Sequence, residues 1–240
     1  MPRTSVTKSI AIGFLLFFFI LSAASLRAKK SFLPVLVNVK TQDRSLIVNM
    51  PYATKKNFAG KKLYDASVCL LRPEVAGSLV SAQKEFKQWG CSLEMLDCYR
   101  PKSVSMRMWQ IGVEHNRKCR AMGRACRSGG CNPAQPTCLW EPLTNYMSRA
   151  SKHNRGASVD VTLVCNGLEL VMGTPYDYFG PAARTRNTKG GYLKNRLYLK
   201  TVMERHGFKN YFREWWHYDH ASYKKYAPLD APLTGAVKKY

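Results

Sequence analysis

Acidic residues are scarce in this 240-residue chain: 15 Asp and Glu stand against 38 Lys and Arg, a formal charge of +23. Such an excess attracts polyanions, yet no known nucleic-acid-binding motif accompanies it, so nucleic acid is not expected as a partner. Internal repeats are absent, as is any linker long enough to separate two domains, which points to one domain with a substantial core. The apolar run Ile10 to Ile20 falls short of the roughly 20 residues that span a bilayer. No cysteine lies near the end of that run, so lipoprotein processing is not indicated.

What is present at the start is the pattern of an export signal over residues 1–28. Arg3 and Lys8 form a basic leader, the apolar run follows, and Ser22-Ala23-Ala24 supplies small residues for cleavage. The alternative, an uncleaved anchor, is disfavoured by the length of the run. Cleavage would remove Arg3, Lys8, Arg27 and no acidic residue, leaving 35 basic against 15 acidic residues. For an exported protein that excess suits an acidic wall polymer or an anionic membrane surface, or is simply a basic, soluble exterior.

All eight cysteines (Cys69, Cys91, Cys98, Cys119, Cys126, Cys131, Cys138, Cys165) follow the signal. An even count with an export signal favours disulfides, although spacing does not reveal their pairing. Four crowd into Cys119 to Cys138, where Gly129-Gly130, Pro133 and Pro136 exclude one regular element. Residues 117–140 therefore read as a cysteine-rich insertion with a bridge of its own; a cysteine-only zinc site is the competing reading.

Periodicity predicts a helix from Pro73 to Trp89, closed by Gly90, then a core strand from Ser92 to Tyr99. A second helix is expected over Ser103 to Val113 and a third over Leu193 to His206, ended by Gly207. Ala157 to Val164 reads as a strand of small and β-branched residues, and Phe208 to Tyr218 as an aromatic-rich strand. Residues 223–240 read as a peripheral tail.

The chemistry concentrates in Ser151-Lys152-His153-Asn154-Arg155-Gly156-Ala157-Ser158-Val159-Asp160 and in Glu214-Trp215-Trp216-His217-Tyr218. Two imidazoles and a carboxylate make the protein share of a catalytic zinc site, which leaves a fourth position for water. His153, Asp160 and His217 fill that share. Glu214 is then the general base, since zinc lowers the pKa of bound water from about 16 to roughly 7 and a carboxylate can pass the proton on. Gly156 permits the turn that brings His153 and Asp160 together. Residues three apart on a regular strand face opposite ways, so Glu214 and His217 need a bulge or a strand end between them.

These two segments follow the signature S-x-H-x-x-G-x-x-x-D and E-x-W-H, and the sequence resembles the zinc D,D-peptidases, in particular the VanX-type D-alanyl-D-alanine dipeptidases. Tyr52-Ala53-Thr54 with Asn57-Phe58-Ala59-Gly60, Tyr99-Arg100-Pro101 and Met172-Gly173-Thr174-Pro175-Tyr176-Asp177 extend the likeness from Tyr52 to Tyr218. The resemblance implies a single α+β domain with a small, mostly antiparallel sheet, flanking helices and one Zn2+, spanning 29–240. It implies that Arg100 stabilises the oxyanion of the tetrahedral intermediate. Asp177 would pair with the ammonium of a D-Ala-D-Ala dipeptide, and Ser151 and Tyr52 would hold its carboxylate or shape the pocket. A salt bridge to Asp97 or Glu94 is the structural alternative for Arg100. Trimming of D-alanine from peptidoglycan stem peptides and a non-catalytic, zinc-stabilised binding protein are the rival functions.

Overall fold

The structure, a computed structural model, describes Met1 and residues 36–121 and 142–234, with 119–121 as backbone only. Apart from Met1, these residues fall in one compact unit, Pro34–Tyr240. In chain order the elements are β1 (Val37–Asn38), α1 (Val39–Gln42), β2 (Ile47–Val48), β3 (Leu70–Leu71), α2 (Pro73–Lys87), β4 (Cys91–Asp97), α3 (Lys102–Ala121), β5 (Ser158–Cys165), β6 (Leu168–Glu169), α4 (Gly190–Arg205), β7 (Phe208–Asn210) and β8 (His217–His220). The expected export signal and most of the cysteine-rich insertion lie outside the described residues.

Five strands run in the order β2-β4-β5-β8-β7, with β6 paired to the hairpin end of β5. Every pairing in this sheet is antiparallel except β2 with β4. A separate ribbon joins β1 to β3. The mixed α/β architecture with a mostly antiparallel sheet agrees with the expectation.

Helix α2 forms because Val75, Leu79, Ala82 and Phe86 recur at three- and four-residue spacing and are all fully buried. Pro73 opens it, where a missing N–H costs nothing. Burial of each larger side chain contributes about 1.5–3 kcal/mol. Helix α3 outruns its expected end at Val113 and reaches Ala121.

The expected strand Phe208 to Tyr218 is two strands. β7 ends at Asn210, the chain turns through 211–216, and β8 begins at His217. The two strands then pair with each other, Asn210 opposite Tyr218. This is the strand end that Glu214 and His217 require.

Of the segment 223–240, read as peripheral, the described part, 223–234, instead runs back across the unit. Leu229 donates its N–H to Asn154 O at 2.8 Å and accepts from Lys102 N at 3.1 Å. Tyr99 donates to Ala231 O at 2.8 Å and Leu233 is 1% exposed. Its prolines break regular structure but not packing.

Two disulfides join described cysteines. Cys91–Cys165 links directly paired residues of β4 and β5. Cys69–Cys98 ties the residue before β3 to the residue after β4. The expected bridge within Cys119 to Cys138 lies outside the described residues.

A convergent metal-ligand site in a small cavity

His153 sits in a short 3-10 turn, Lys152–Arg155, capped by Ser151, whose Oγ accepts from His153 N at 3.3 Å. Gly156 closes that turn at φ 67°, and a Cβ there would stand 2.6 Å from Leu36 Cδ2. Only glycine suits both the left-handed backbone and the close approach. β5 follows at once and carries Asp160 on the rung opposite His217.

The donor atoms of His153, Asp160 and His217 converge. His153 Nε2 is 3.1 Å from His217 Nδ1 and 3.3 Å from Asp160 Oδ1, and His217 Nδ1 is 2.9 Å from the same oxygen. The outer ring nitrogens settle the tautomers. His153 Nδ1 donates to Cys98 O at 2.7 Å, because a carbonyl can only accept. His217 Nε2 is 3.0 Å from Asp219 Oδ1 and donates to that carboxylate. Both rings therefore turn their inner nitrogen towards the shared point, beside a carboxylate oxygen. Two imidazole nitrogens and one carboxylate at this spacing fit a zinc ion with an open fourth position.

The carboxylates around this point favour a positive charge there. Burial alone would lower His217, but hydrogen bonds to Asp160 and Asp219 override it and push the imidazole up to about 10. Burial would likewise raise Asp160, yet His153 and His217 hold its carboxyl well below the usual range. Where no metal binds, a proton takes its place. Tyr176 donates to Asp160 Oδ2 at 2.9 Å, which leaves Oδ1 to face the histidines.

Glu214 lies beside the donor set without joining it: its Oε2 is 3.9 Å from His217 Nδ1. Burial pushes its carboxyl up to about 8, against the pull of His217. A carboxylate with that pKa can both take and return a proton near neutrality.

Arg100 follows β4 and forms the ion pair with Asp97, its Nε 2.9 Å from Asp97 Oδ2. Glu94 is not its partner; that carboxylate accepts from Asn49 Nδ2 at 2.6 Å. Asp97 also accepts from Tyr64 Oη at 2.5 Å and from Cys98 N at 2.8 Å, so the guanidinium is held on a fixed base. Asp177, at φ 60°, is buried and accepts from Tyr52 Oη at 2.8 Å. Burial pushes its carboxyl up to about 8, although the Tyr52 bond opposes this. Tyr52 thus groups with Asp177.

One cavity of about 260 Å3 is lined by all eight residues singled out from sequence: Tyr52, Arg100, Ser151, His153, Asp160, Asp177, Glu214 and His217. The remaining histidines stay out of it. His206 pairs with Glu85 at 2.8 Å, and His220 Nε2 meets Ser78 Oγ at 3.0 Å. Sequence reasoning missed Tyr176 and Asp219. Tyr176 stood inside a matched segment, and Asp219 is two residues past His217, on the same face of a strand.

Comparison with known proteins agrees. Residues 35–230 match the Peptidase M15 family, described as D-ala-D-ala dipeptidase. A D-alanyl-D-alanine dipeptidase of Enterococcus faecalis is 31% identical over 179 residues, 70% of this chain and 82% of that one. Those of Enterococcus faecium and Streptomyces coelicolor are 29% and 30% identical over the same shares. A solved Zn(II)-bound D,D-pentapeptidase aligns at 14% identity and a TM-score of 0.38, over 67% of this chain and 78% of that one, too loose a likeness to bear on the site. The chain belongs to the D-ala-D-ala dipeptidase family of M15 peptidases, which are zinc metallopeptidases.

Proposed function

We propose that this protein hydrolyses the dipeptide D-alanyl-D-alanine to two D-alanines, using one zinc held by His153, Asp160 and His217. The observation that carries this is the convergence of two imidazole nitrogens and a carboxylate oxygen, with a separate buried carboxylate 3.9 Å away. When bound, zinc acidifies water and polarises the scissile carbonyl. Glu214 takes the proton of the attacking water and delivers it to the leaving amine. Arg100, braced by Asp97, donates to the oxyanion; a fixed guanidinium does this without reorganising. Asp177 and Tyr52 receive the substrate ammonium, and Ser151, which lines the same cavity, takes the carboxylate. Zinc titration of purified protein followed by a D-alanine assay tests the reading. Stoichiometric zinc with no turnover of any D,D substrate would favour a binding protein instead.

A second reading, removal of D-alanine from longer stem peptides, has one observation behind it. A larger cleft of about 1110 Å3 lies beyond the first and shares Asp177 and Phe58 with it. An extended substrate needs room on the ammonium side, so the two readings part on whether Asp177 closes that side.

Export to the cell envelope belongs to the same proposal. It rests on the pattern of residues 1–28, and the Cys69–Cys98 and Cys91–Cys165 bridges support an oxidising compartment. The basic exterior would then face an anionic wall polymer or membrane surface. Amino-terminal sequencing of protein recovered from its native compartment tests the cleavage.

A further inference from the structure

Of the two imidazoles at the metal point, one is tied to a neutral group and the other to a charge. His153 donates to the carbonyl of Cys98, whereas His217 donates to the carboxylate of Asp219. Asp219 is nearly buried, and both of its oxygens are engaged from segments that carry the other ligands. Its Oδ1 accepts from Ser158 Oγ at 2.7 Å, and its Oδ2 from Lys152 Nζ at 2.5 Å. Ser158 lies opposite Asp219 on the β5–β8 ladder, two rungs beyond the Asp160–His217 pair and so on the same face. Lys152 precedes His153 directly and rests against the Tyr223 ring, its Nζ 5.0 Å from the centroid.

We infer that Asp219, braced by Lys152 and Ser158, is a positioning residue that fixes the tautomer and orientation of His217 and so sets the strength of metal binding. This rests on the zinc site proposed above. Three contacts leave the carboxylate little freedom, so the imidazole it receives keeps its Nε2–H on Asp219 and turns Nδ1 towards Asp160 and His153, where it is free to give up its proton to a metal. A carboxylate also makes that imidazole a stronger donor to a cation than a carbonyl partner would. The brace further links the turn bearing His153 to the strand bearing His217 by a path outside the donor atoms.

Loss of such an outer partner typically weakens metal binding about 10- to 100-fold. The test is the zinc dissociation constant, measured by competition with a chromogenic chelator, for the full chain and for Asp219→Ala, Asp219→Asn and Lys152→Met. The visible spectrum of the Co(II)-substituted proteins and the melting temperatures of the metal-free forms are recorded alongside. Asp219→Ala should bind zinc about 10- to 100-fold more weakly and alter the Co(II) bands. Asp219→Asn, which keeps an acceptor oxygen, should lose less, and Lys152→Met less again. A purely structural role would lower the metal-free melting temperature and leave zinc affinity alone. Zinc affinities of the two folded, milder variants within twofold of the unaltered protein would overturn the inference. Failure of the unaltered protein itself to bind zinc would overturn the metal reading and this inference with it.

Discussion

The two cavities that meet at Asp177 differ in a way that volume does not capture. The larger, about 1110 Å3, is rimmed by the exposed Lys55, Lys56 and Glu169, and Glu94, the one buried carboxylate it does not share with the smaller, is answered by Asn49. The smaller, about 260 Å3, gathers the buried side chains of His153, Asp160, Asp177 and Glu214. Charges in water interact weakly and cost little to keep. Charges withdrawn from water are expensive unless another group answers them, so their gathering at one point marks chemistry. The chemistry is therefore assigned to the smaller space.

The sharpest way to break that contrast is to remove groups from the small cavity one at a time. Glu214→Gln should lower kcat about 10^2- to 10^4-fold while zinc content stays stoichiometric, because the base acts on water and is not a ligand. Replacing His153, Asp160 or His217 by Ala should lower zinc and activity together. Metal analysis beside the rate assay distinguishes these cases; equal zinc loss in all four variants would undo the division of roles.

Next in size is Asp177→Ala. Loss of one desolvated ion pair costs about 3–5 kcal/mol, or hundreds- to thousands-fold in kcat/KM for the free dipeptide. Steady-state kinetics measure it, and a loss below about tenfold would separate Asp177 from the ammonium.

A smaller effect follows from the raised carboxyl of Asp177. At about 8 it is mostly protonated at neutral pH, so pairing with an ammonium should strengthen as pH rises towards 8, and Asp177→Asn should make that limb of the kcat/KM profile shallower, leaving the share that belongs to Glu214. The same shift has a stability consequence in the metal-free protein. The folded state holds this proton more tightly than an unfolded carboxyl titrating near 3.8. Its contribution to stability is thus complete below about 4 and is lost as pH rises through about 8. Urea midpoints across that range should fall more in the unaltered protein than in Asp177→Asn.

Least affected should be variants of the larger cleft. Lys56→Gln and Glu169→Gln should change hydrolysis of the free dipeptide by less than about threefold, since exposed charges contribute little. A tenfold loss in either would show that the larger cleft shares in the reaction.

Much of this was legible in the sequence because local rules and distant motifs coincided. Gly156 announced the turn between His153 and Asp160, and the three-residue spacing of Glu214 and His217 demanded the strand end that Asn210 and the turn after it provide. Periodicity found α2 because its buried face repeats, and small and β-branched residues marked β5, whose first six residues are all buried. Composition joined β7 to β8 because aromatic residues continue through the turn. Disulfide partners were not legible, since Cys91 meets Cys165 only through strand register. Asp219 was passed over because an acid near a histidine is common, and only the lysine and serine brought to it by folding single it out.

The most direct test of the central claim compares D-alanyl-D-alanine with its N-acetylated form as substrates of the zinc-loaded, unaltered protein. If Asp177 and Tyr52 close the small cavity around a free ammonium, the dipeptide is cleaved and the acetylated form is not, because acetylation removes the charge that the buried carboxylate must meet. Comparable kcat/KM for the two would contradict the dipeptidase reading and show that substrate extends past Asp177 into the larger cleft.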